Sequence, residues 1–515
     1  MPDTPHKTIA KNTIVLYLRM LVTMVISLFT SRVVLQTLGV DDYGLYQAVG
    51  GIVGIMGFIN GALSTGTSRF ITYSLGKNDK HESQLVFSTA LTIHIVLAII
   101  IVVLAETVGL WFLYNKLVVP PERMSAAVYC FHLSVLASVL SITQVPYNAL
   151  IIGHEHMKVY AYAGVIEAIL KLAIVYVLYI SPVDKLKAYS TLFFLLSAGF
   201  VLFYRGYCIK QFNAHYHVTC DKKYLKEIGA FSGWSMIACG VIALNSQGVL
   251  ILFNMFFSPA IVAARAISIQ VNTAVLQFMN NFRTAVNPQI IKRWAAGEYE
   301  ESKRLVIDST KFSYYLVLVF AVPIIFTTDQ LLHLWLGVVP DYTVRFVQLI
   351  LVQSLLSVWD VSLYQALFAG GRIRENALTS PAISLVCFVC SYVWLKLGGS
   401  PLSVSYMAIV GAFLRGAVQK PIMLVKIVHF KWHDFMQLYP ACIGVTLLSM
   451  PIPMLFYLFI YKGAMSIGLF FAMAGVSVFS VAGAVWLIGL TPEMKRQLVR
   501  AVKEKLRLQS ESRSC

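Results

Sequence analysis

Apolar runs of about 20 residues or more recur along the whole chain, at 14–38, 43–67, 84–112, 124–152, 159–180, 188–208, 228–256, 259–286, 305–328, 343–369, 377–397, 402–428, 438–461 and 464–490. A run of that length satisfies its own backbone hydrogen bonds only as a helix, and as a helix it reaches across the hydrocarbon of a bilayer. An outer-membrane barrel would instead show about ten residues of in–out alternation per strand. The predicted fold class is therefore all-α, a polytopic membrane protein of about 14 transmembrane helices. Composition agrees: 58% of residues are apolar and 13% charged, and the mean hydropathy of +0.73 is too high for a soluble globular chain. The first run is too long for a signal-peptide core and lacks a small-residue cleavage site, so it is expected to stay as a span.

The formal net charge is +17. Its basic residues fall mainly in alternate connections, among them Lys77 and Lys80, Lys222 to Lys226, Lys292 to Arg304, Arg372 and Arg374, and the tail from Lys495. That is the topogenic pattern; it places both termini in the cytoplasm and argues against nucleic acid as a partner. The eight cysteines are scattered, without histidines at metal spacing. Cys387 and Cys390 form a CxxC inside an apolar run, where small packing residues are the better reading. No metal and no cofactor is expected.

The expected organisation is an N-lobe of helices 1–6 at 1–220 and a C-lobe of helices 7–12 at 221–430. Helices 13 and 14 follow at 431–490, then a basic amphipathic cytoplasmic tail at 491–515. In the tail, Thr491 and Pro492 start a helix whose Met494, Leu498, Val502 and Leu506 share one side, as on an anionic lipid surface. The lobes look like a degenerate repeat. Asp42-Tyr43-Gly44 opens helix 2 as Ser258-Pro259-Ala260 opens helix 8, and each helix then meets an arginine, Arg69 or Arg283. Two lobes so related are expected to hold a binding site between them.

The first two runs read as a helical hairpin joined by Gly39-Val40-Asp41-Asp42, with the acids capping helix 2. Helix 2 carries Gly50, Gly54, Gly57 and Gly61, a stripe that lets another helix approach closely. Charges inside the runs are mostly positive: Arg19, Arg32, Arg265, Arg283 and Arg415, with Lys171, against Glu106, Glu167 and Asp360. Glu167 and Lys171 are four apart on one helix and neutralise each other. That leaves five arginines facing two acids, so the cavity is expected to be cationic. A guanidinium inside a span is costly and marks function by default. Its planar fork suits phosphate and diphosphate, which makes Arg19, Arg32, Arg69, Arg265 and Arg283 the candidate diphosphate ligands. Asn245, Gln247, Asn272 and Asn280, with Glu106 and Asp360, are candidate contacts for sugar hydroxyls or a coupling ion, interhelical bonding being the equal alternative for the amides. His94 and His132 read as packing histidines.

Enzyme signatures are missing: there is no phosphate-binding glycine loop and no segment long enough for a soluble nucleotide-binding domain. One enzymatic alternative is the Asp41-Asp42 pair, which resembles the acidic pair of multi-span membrane glycosyltransferases, although those enzymes carry large outer loops that this chain lacks.

The stretch Arg32-Val33-Val34-Leu35-Gln36-Thr37-Leu38-Gly39-Val40-Asp41-Asp42-Tyr43-Gly44-Leu45-Tyr46-Gln47, followed by Ser68-Arg69-Phe70, resembles the N-terminus of Wzx-type polysaccharide flippases. These belong to the multidrug/oligosaccharidyl-lipid/polysaccharide superfamily, and the rest of the chain matches by topology. The resemblance implies two six-helix lobes, as in the multidrug exporters and lipid II flippases of that superfamily, plus an accessory C-terminal pair. It implies a bacterial inner-membrane protein that flips undecaprenyl-diphosphate-linked oligosaccharide outward by alternating access. Polysaccharide polymerase and other glycan assembly proteins would be its partners, beside membrane lipids. Arginines of helices 1, 2 and 8 in those relatives correspond to Arg19, Arg32, Arg69 and Arg265 here. The runner-up is a cation-coupled multidrug exporter of the same superfamily, for which Glu106 or Asp360 would have to serve as the exchanging acid.

Overall fold

The computed structural model describes residues 5–56, 80–154, 156–180, 183–219, 247–372, 374–461 and 466–492, with scattered positions between and just after these such as Ser64, Ile71 and Lys495; for residues 5–21 it gives the helix path only. Among the described residues every regular element is helical. The helices are α1 (Pro5–Leu38), α2 (Val40–Met56), α3 (Lys80–Leu104, running on through a π-turn at Ala105–Gly109 into Leu110–Asn115), α4 (Met124–Gly153), α5 (Met157–Ile180) and α6 (Lys185–Phe212). Next come α7 (Gln247–Phe256), α8 (Pro259–Ala295), α9 (Tyr299–Leu336), α10 (Thr343–Ala369), α11 (Arg374–Lys396) and α12 (Leu402–Val428). The last two are α13 (Trp432–Tyr461) and α14 (Ile467–Gly489).

Among the described residues, eleven of these helices are long and apolar enough to cross a membrane, and α1 with α2 form a bent pair that passes the same test together. Their outer faces agree with a lipid solvent. Leu202, Val386, Phe459, Phe471 and Phe479 all stand exposed, an arrangement that only lipid makes favourable. The chain is a multi-pass membrane protein.

The expected four-residue loop between the first two runs shrinks to a single residue. Gly39 adopts φ +83°, a conformation open to glycine without strain, and the axes on either side of it meet at 117°. Helix resumes at Val40, so Asp41 and Asp42 lie in the first turn of α2 rather than in a loop. There a carboxylate is favoured by the helix dipole.

The chain divides into two compact units, one comprising 1–270, 335–343 and 384–404, the other 271–334, 344–383 and 405–515. The first unit takes in α7 and the start of α8 because small residues of α2 let them approach. A Cβ at Gly44 would run into the Pro259 carbonyl, and one at Gly54 would sit 3.1 Å from the Gln247 side chain. The expected glycine stripe needs correcting here. A Cβ at Gly50 would meet no described atom, and it is Gly51, where a Cβ would lie 3.5 Å from the Gln247 carbonyl, that shares the contact with Gly54; Gly57 and Gly61 lie outside the described residues. The corner at 335–343 joins the same unit through Trp335 Nε1, which donates to the Leu28 carbonyl at 2.7 Å, and Gln36 Nε2, which donates to the Leu336 carbonyl at 2.8 Å. The interior of this unit holds two apolar clusters, one around Phe87, Tyr147 and Tyr204, the other around Leu45, Ile52, Leu113 and Phe131.

In the second unit Trp359 of α10 stacks on Tyr314 of α9 at 5.7 Å and meets the edge of Tyr439 of α13 at 4.8 Å. The Tyr439 hydroxyl donates to the Gly416 carbonyl of α12 at 2.8 Å. A Cβ at Gly416 would lie 3.0 Å from the Leu356 carbonyl, so α12 and α10 touch backbone to backbone at this level. The α13–α14 pair is closed by Ser480 Oγ, which donates to the Ser449 carbonyl at 2.8 Å.

Candidate functional site

The first unit encloses a cavity of about 710 Å³ walled by α2, α4, α5 and α6, within the size range that takes up whole small molecules. Its most regular wall is α4, where Ser134, Ser138, Ser141 and Asn148 follow one another at helical spacing, with Gln144 beside them. Ser190 and Ser197 of α6 and Ser64 add hydroxyls, and Tyr46, Phe193, Phe194, Phe200 and Tyr204 supply ring surface. The hydroxyls of Ser134, Ser190 and Ser197 donate to the carbonyls of Cys130, Leu186 and Phe193 one turn earlier, at 2.8, 2.8 and 2.9 Å. Their oxygens therefore keep lone pairs to offer. Among the described residues Glu167 is the one acid in the lining, and Lys171 holds it at 2.8 Å, as the four-residue spacing predicts.

A second cavity of about 390 Å³ shares Tyr46 and Glu167 with the first and continues along α1 past Thr23, Ser27, Thr30 and Ser31. Gln270 Nε2 donates to Ser31 Oγ at 2.6 Å on this wall. Among the described residues no arginine lines either cavity. The polar wall was readable as a spacing of serines, yet serine in a membrane helix is common as interhelical glue, and nothing in the sequence separates the two uses.

The candidate arginines are placed as follows. Arg32 is half-buried on α1, one residue past the cavity-lining Ser31. Arg265 is 5% exposed in α8 of the same unit. Arg283, in the second unit, donates through Nη2 to the Val361 carbonyl at 2.6 Å. Arg19 lies in α1 without a described side chain, and Arg69 and Asn245 lie outside the described residues, as does most of the stretch 491–515 expected to form the amphipathic tail. Gln247 packs against the glycines of α2, so this amide serves helix contact. Asn272 Oδ1 accepts from the Ser354 hydroxyl, and Asn280 is exposed. His94 is fully buried with Nδ1 on the Ala90 carbonyl at 2.8 Å, a packing histidine.

The expected surplus of five arginines over two acids is corrected by the structure. Asp360 is not free: Arg415 Nε donates to its Oδ2 at 3.0 Å and Lys420 Nζ to its Oδ1 at 2.6 Å. Lys420, which the sequence left unremarked, is 1% exposed and also reaches Asn376 Oδ1 and Ser380 Oγ. Five positions apart, Arg415 and Lys420 would point about 140° away from each other on an α-helix. Leu414–Gln419 is instead a π-turn, with the Lys420 amide on the Arg415 carbonyl, and a π-turn sets residues five apart one above the other. Glu106 sits in another π-turn, on α3, with its Oε1 3.0 Å from His132 Nδ1. Arg415 and Asp360 therefore drop out of that comparison together.

Outside the spans the first unit carries a three-way clamp that the sequence did not announce. Arg123, just before α4, donates through Nε to Asp42 Oδ1 at 2.8 Å and through Nη1 to Asp184 Oδ2 at 2.7 Å. Asp184 also caps α6, accepting from the Leu186 and Lys187 amides at 3.0 and 3.1 Å. One guanidinium thus ties the starts of α2, α4 and α6. Burial pushes the Asp184 carboxyl up, but the Lys187 amide, the Arg123 guanidinium and the Leu186 amide outweigh it and hold the group below its ordinary range.

No protein-family model matches the chain, and no curated protein matches it in sequence. Solved structures do. The lipid II flippase MurJ in an inward closed conformation superposes with a TM-score of 0.70 at 11% identity, over 92% of this chain and 98% of its own. An inward-facing multidrug resistance MATE family transporter of the MOP superfamily gives 0.65 at 14% identity, over 80% of this chain and 98% of its own. A MOP superfamily transporter from Pyrococcus furiosus, described as having a binding pocket of reverse polarity, gives 0.58 at 15%, over 81% and 96%. At these identities the likeness carries the fold: the chain has the helical fold of the MATE transporters and MurJ.

Proposed function

We propose that the protein is a flippase that moves undecaprenyl-diphosphate-linked oligosaccharide from the cytoplasmic to the outer leaflet of a bacterial inner membrane by alternating access, for the synthesis of O-antigen, capsule or exopolysaccharide. One observation carries the reading: the three acids that could exchange a cation for a drug are engaged, Glu167 by Lys171, Asp360 by Arg415 and Lys420, Glu106 by His132. In this reading Arg32, Arg265 and Arg283, with Arg19 and Arg69, are the groups that meet the diphosphate. A diphosphate left bare in hydrocarbon faces a prohibitive desolvation cost, and a guanidinium answers it with paired N–H donors. Outward movement of negative charge is assisted by an inside-negative potential, by roughly 2.3 kcal/mol per charge per 100 mV. The isoprenoid stays in lipid throughout.

Chain extent supports the same reading. The MurJ match covers 12% more of the 515 residues than the MATE match, about 62 residues. That is close to the length of α13 and α14, from Trp432 to Gly489. The likeness to multidrug transporters favours one second reading, a cation-coupled drug exporter, which needs an acid free to exchange cation for drug. Export in cells separates the two. With this chain deleted, lipid-linked oligosaccharide accumulates in the inner leaflet, and Arg19→Ala combined with Arg265→Ala reproduces the deletion; unchanged glycan export in that double variant would refute the diphosphate role.

A further inference from the structure

We infer that the α4 wall of the larger cavity is a neutral carbohydrate subsite, which binds the glycan of the cargo while the arginines meet its diphosphate. This subsite rests on the flippase reading and places sugar recognition in the first unit, on Ser134, Ser138, Gln144 and Asn148, rather than on the amides of α7 and α8.

The unsatisfied group is Gln144. It is 6% exposed and lines the cavity. Its Nε2 donates to Asn148 Oδ1 at 3.2 Å, while its Oε1 has no partner among the described residues. A buried carbonyl oxygen without a donor is costly, and a ligand O–H or N–H reaching it recovers that loss. Ser134, Ser190 and Ser197 have spent their hydrogens on their own helices, so the wall has lone pairs to offer. It calls for a ligand rich in donors that carries no charge, since Glu167 is neutralised by Lys171. Sugars meet both conditions. Their hydroxyls donate, their acetamido groups donate N–H, and their C–H faces lie against rings such as Phe193 and Tyr204, which share the cavity. Among the described lining residues a cationic drug would find no free carboxylate, and a diphosphate would find no arginine.

The test uses the full-length protein in detergent and two kinds of probe. Neutral oligosaccharides, N,N′-diacetylchitobiose and maltotriose, are titrated in a thermal-unfolding assay beside ethidium, and a labelled polyprenyl-diphosphate disaccharide is followed in liposomes. A saturable rise in Tm with at least one neutral oligosaccharide is expected, and none with ethidium. Gln144→Leu keeps the volume and removes the orphan oxygen, so it should fold with an unchanged or higher Tm. It should nonetheless lose the sugar response and slow translocation about ten-fold or more, as a site built to hydrogen-bond a ligand does when a partner is deleted. Should Gln144→Leu fail to fold, Ser138→Ala is measured in its place with the same expectation. Stabilisation by ethidium alone, or translocation unaffected by either variant while wild type is active, would overturn the subsite and leave the flippase reading standing. Sugar binding lost on Gln144→Leu, with no wild-type translocation, would keep the subsite and refute the flippase.

Discussion

The Asp360 cluster makes the sharpest energetic prediction. Asp360 lies between two cations on α12, and all three side chains are largely withdrawn from solvent, at 16% exposure for Asp360, 17% for Arg415 and 1% for Lys420. Asp360→Asn leaves both cations without a counter-charge, and breaking a buried pair in this way costs about 3–5 kcal/mol. Lys420→Met keeps the stem packed and leaves Asp360 with Arg415, so only a charged hydrogen bond is lost, about 1.5–3 kcal/mol. For a unit of this size each kcal/mol moves Tm by roughly 2–4 °C. The single variants are therefore expected to melt roughly 6–20 °C and roughly 3–12 °C below wild type. Because the two residues touch, the double variant should fall short of their sum by about 0.5–3 kcal/mol. The assay is thermal unfolding of purified protein followed by tryptophan fluorescence, where Trp359 beside Asp360 reports on the second unit. Additive effects, or an Asp360→Asn variant as stable as wild type, would refute the claim that the acid is held as a counter-charge.

Three more outcomes are expected. Gly44→Ala drives a methyl group into the Pro259 carbonyl; backbone yields less readily than a side chain, so a loss of about 1–3 kcal/mol or more should appear as a lowered Tm, whereas Gly50→Ala, where the Cβ would meet no described atom, should be silent. Asp184 is held below its ordinary value of 3.8, so its share of stability is complete above about pH 4 and is lost as pH falls through the lower folded value. The acid slope of Tm should therefore flatten in Arg123→Ala, and an unchanged slope would remove Asp184 from the clamp. Arg265→Lys keeps the charge but not the fork; translocation should fall nearly as far as in Arg265→Ala, and full rescue would show that charge alone suffices.

Much of the fold was legible because a bilayer allows few solutions. Apolar runs of spanning length can only be helices, and the runs placed at 305–328, 343–369 and 402–428 are recovered within α9, α10 and α12. The Glu167–Lys171 pair was legible for a similar reason, since both residues belong to one regular helix. What stayed hidden depends on departures from regularity or on distant partners. Lys420 escaped because helical periodicity separates it from Arg415, and only the π-turn at Leu414–Gln419 brings both to Asp360. Arg123 carries no signal in the sequence, since neither Asp42 nor Asp184 is near it along the chain. Gly51 replaced Gly50 at the α7 contact because which glycine meets a neighbour is set by helix rotation, which the small-residue stripe leaves undetermined. The serine wall of α4 was visible as spacing but not as function. Only the cavity in front of it and the orphan oxygen of Gln144 distinguish a wall from glue.

Movement of a lipid-linked glycan by this protein can be observed in liposomes, with purified protein, a labelled polyprenyl-diphosphate oligosaccharide and an impermeant probe of the outer leaflet. Label should appear outside only when the protein is present, faster under an inside-negative potential, and this movement should be lost in Arg32→Ala. Efflux of small cationic dyes with no movement of the lipid-linked sugar would contradict the flippase reading.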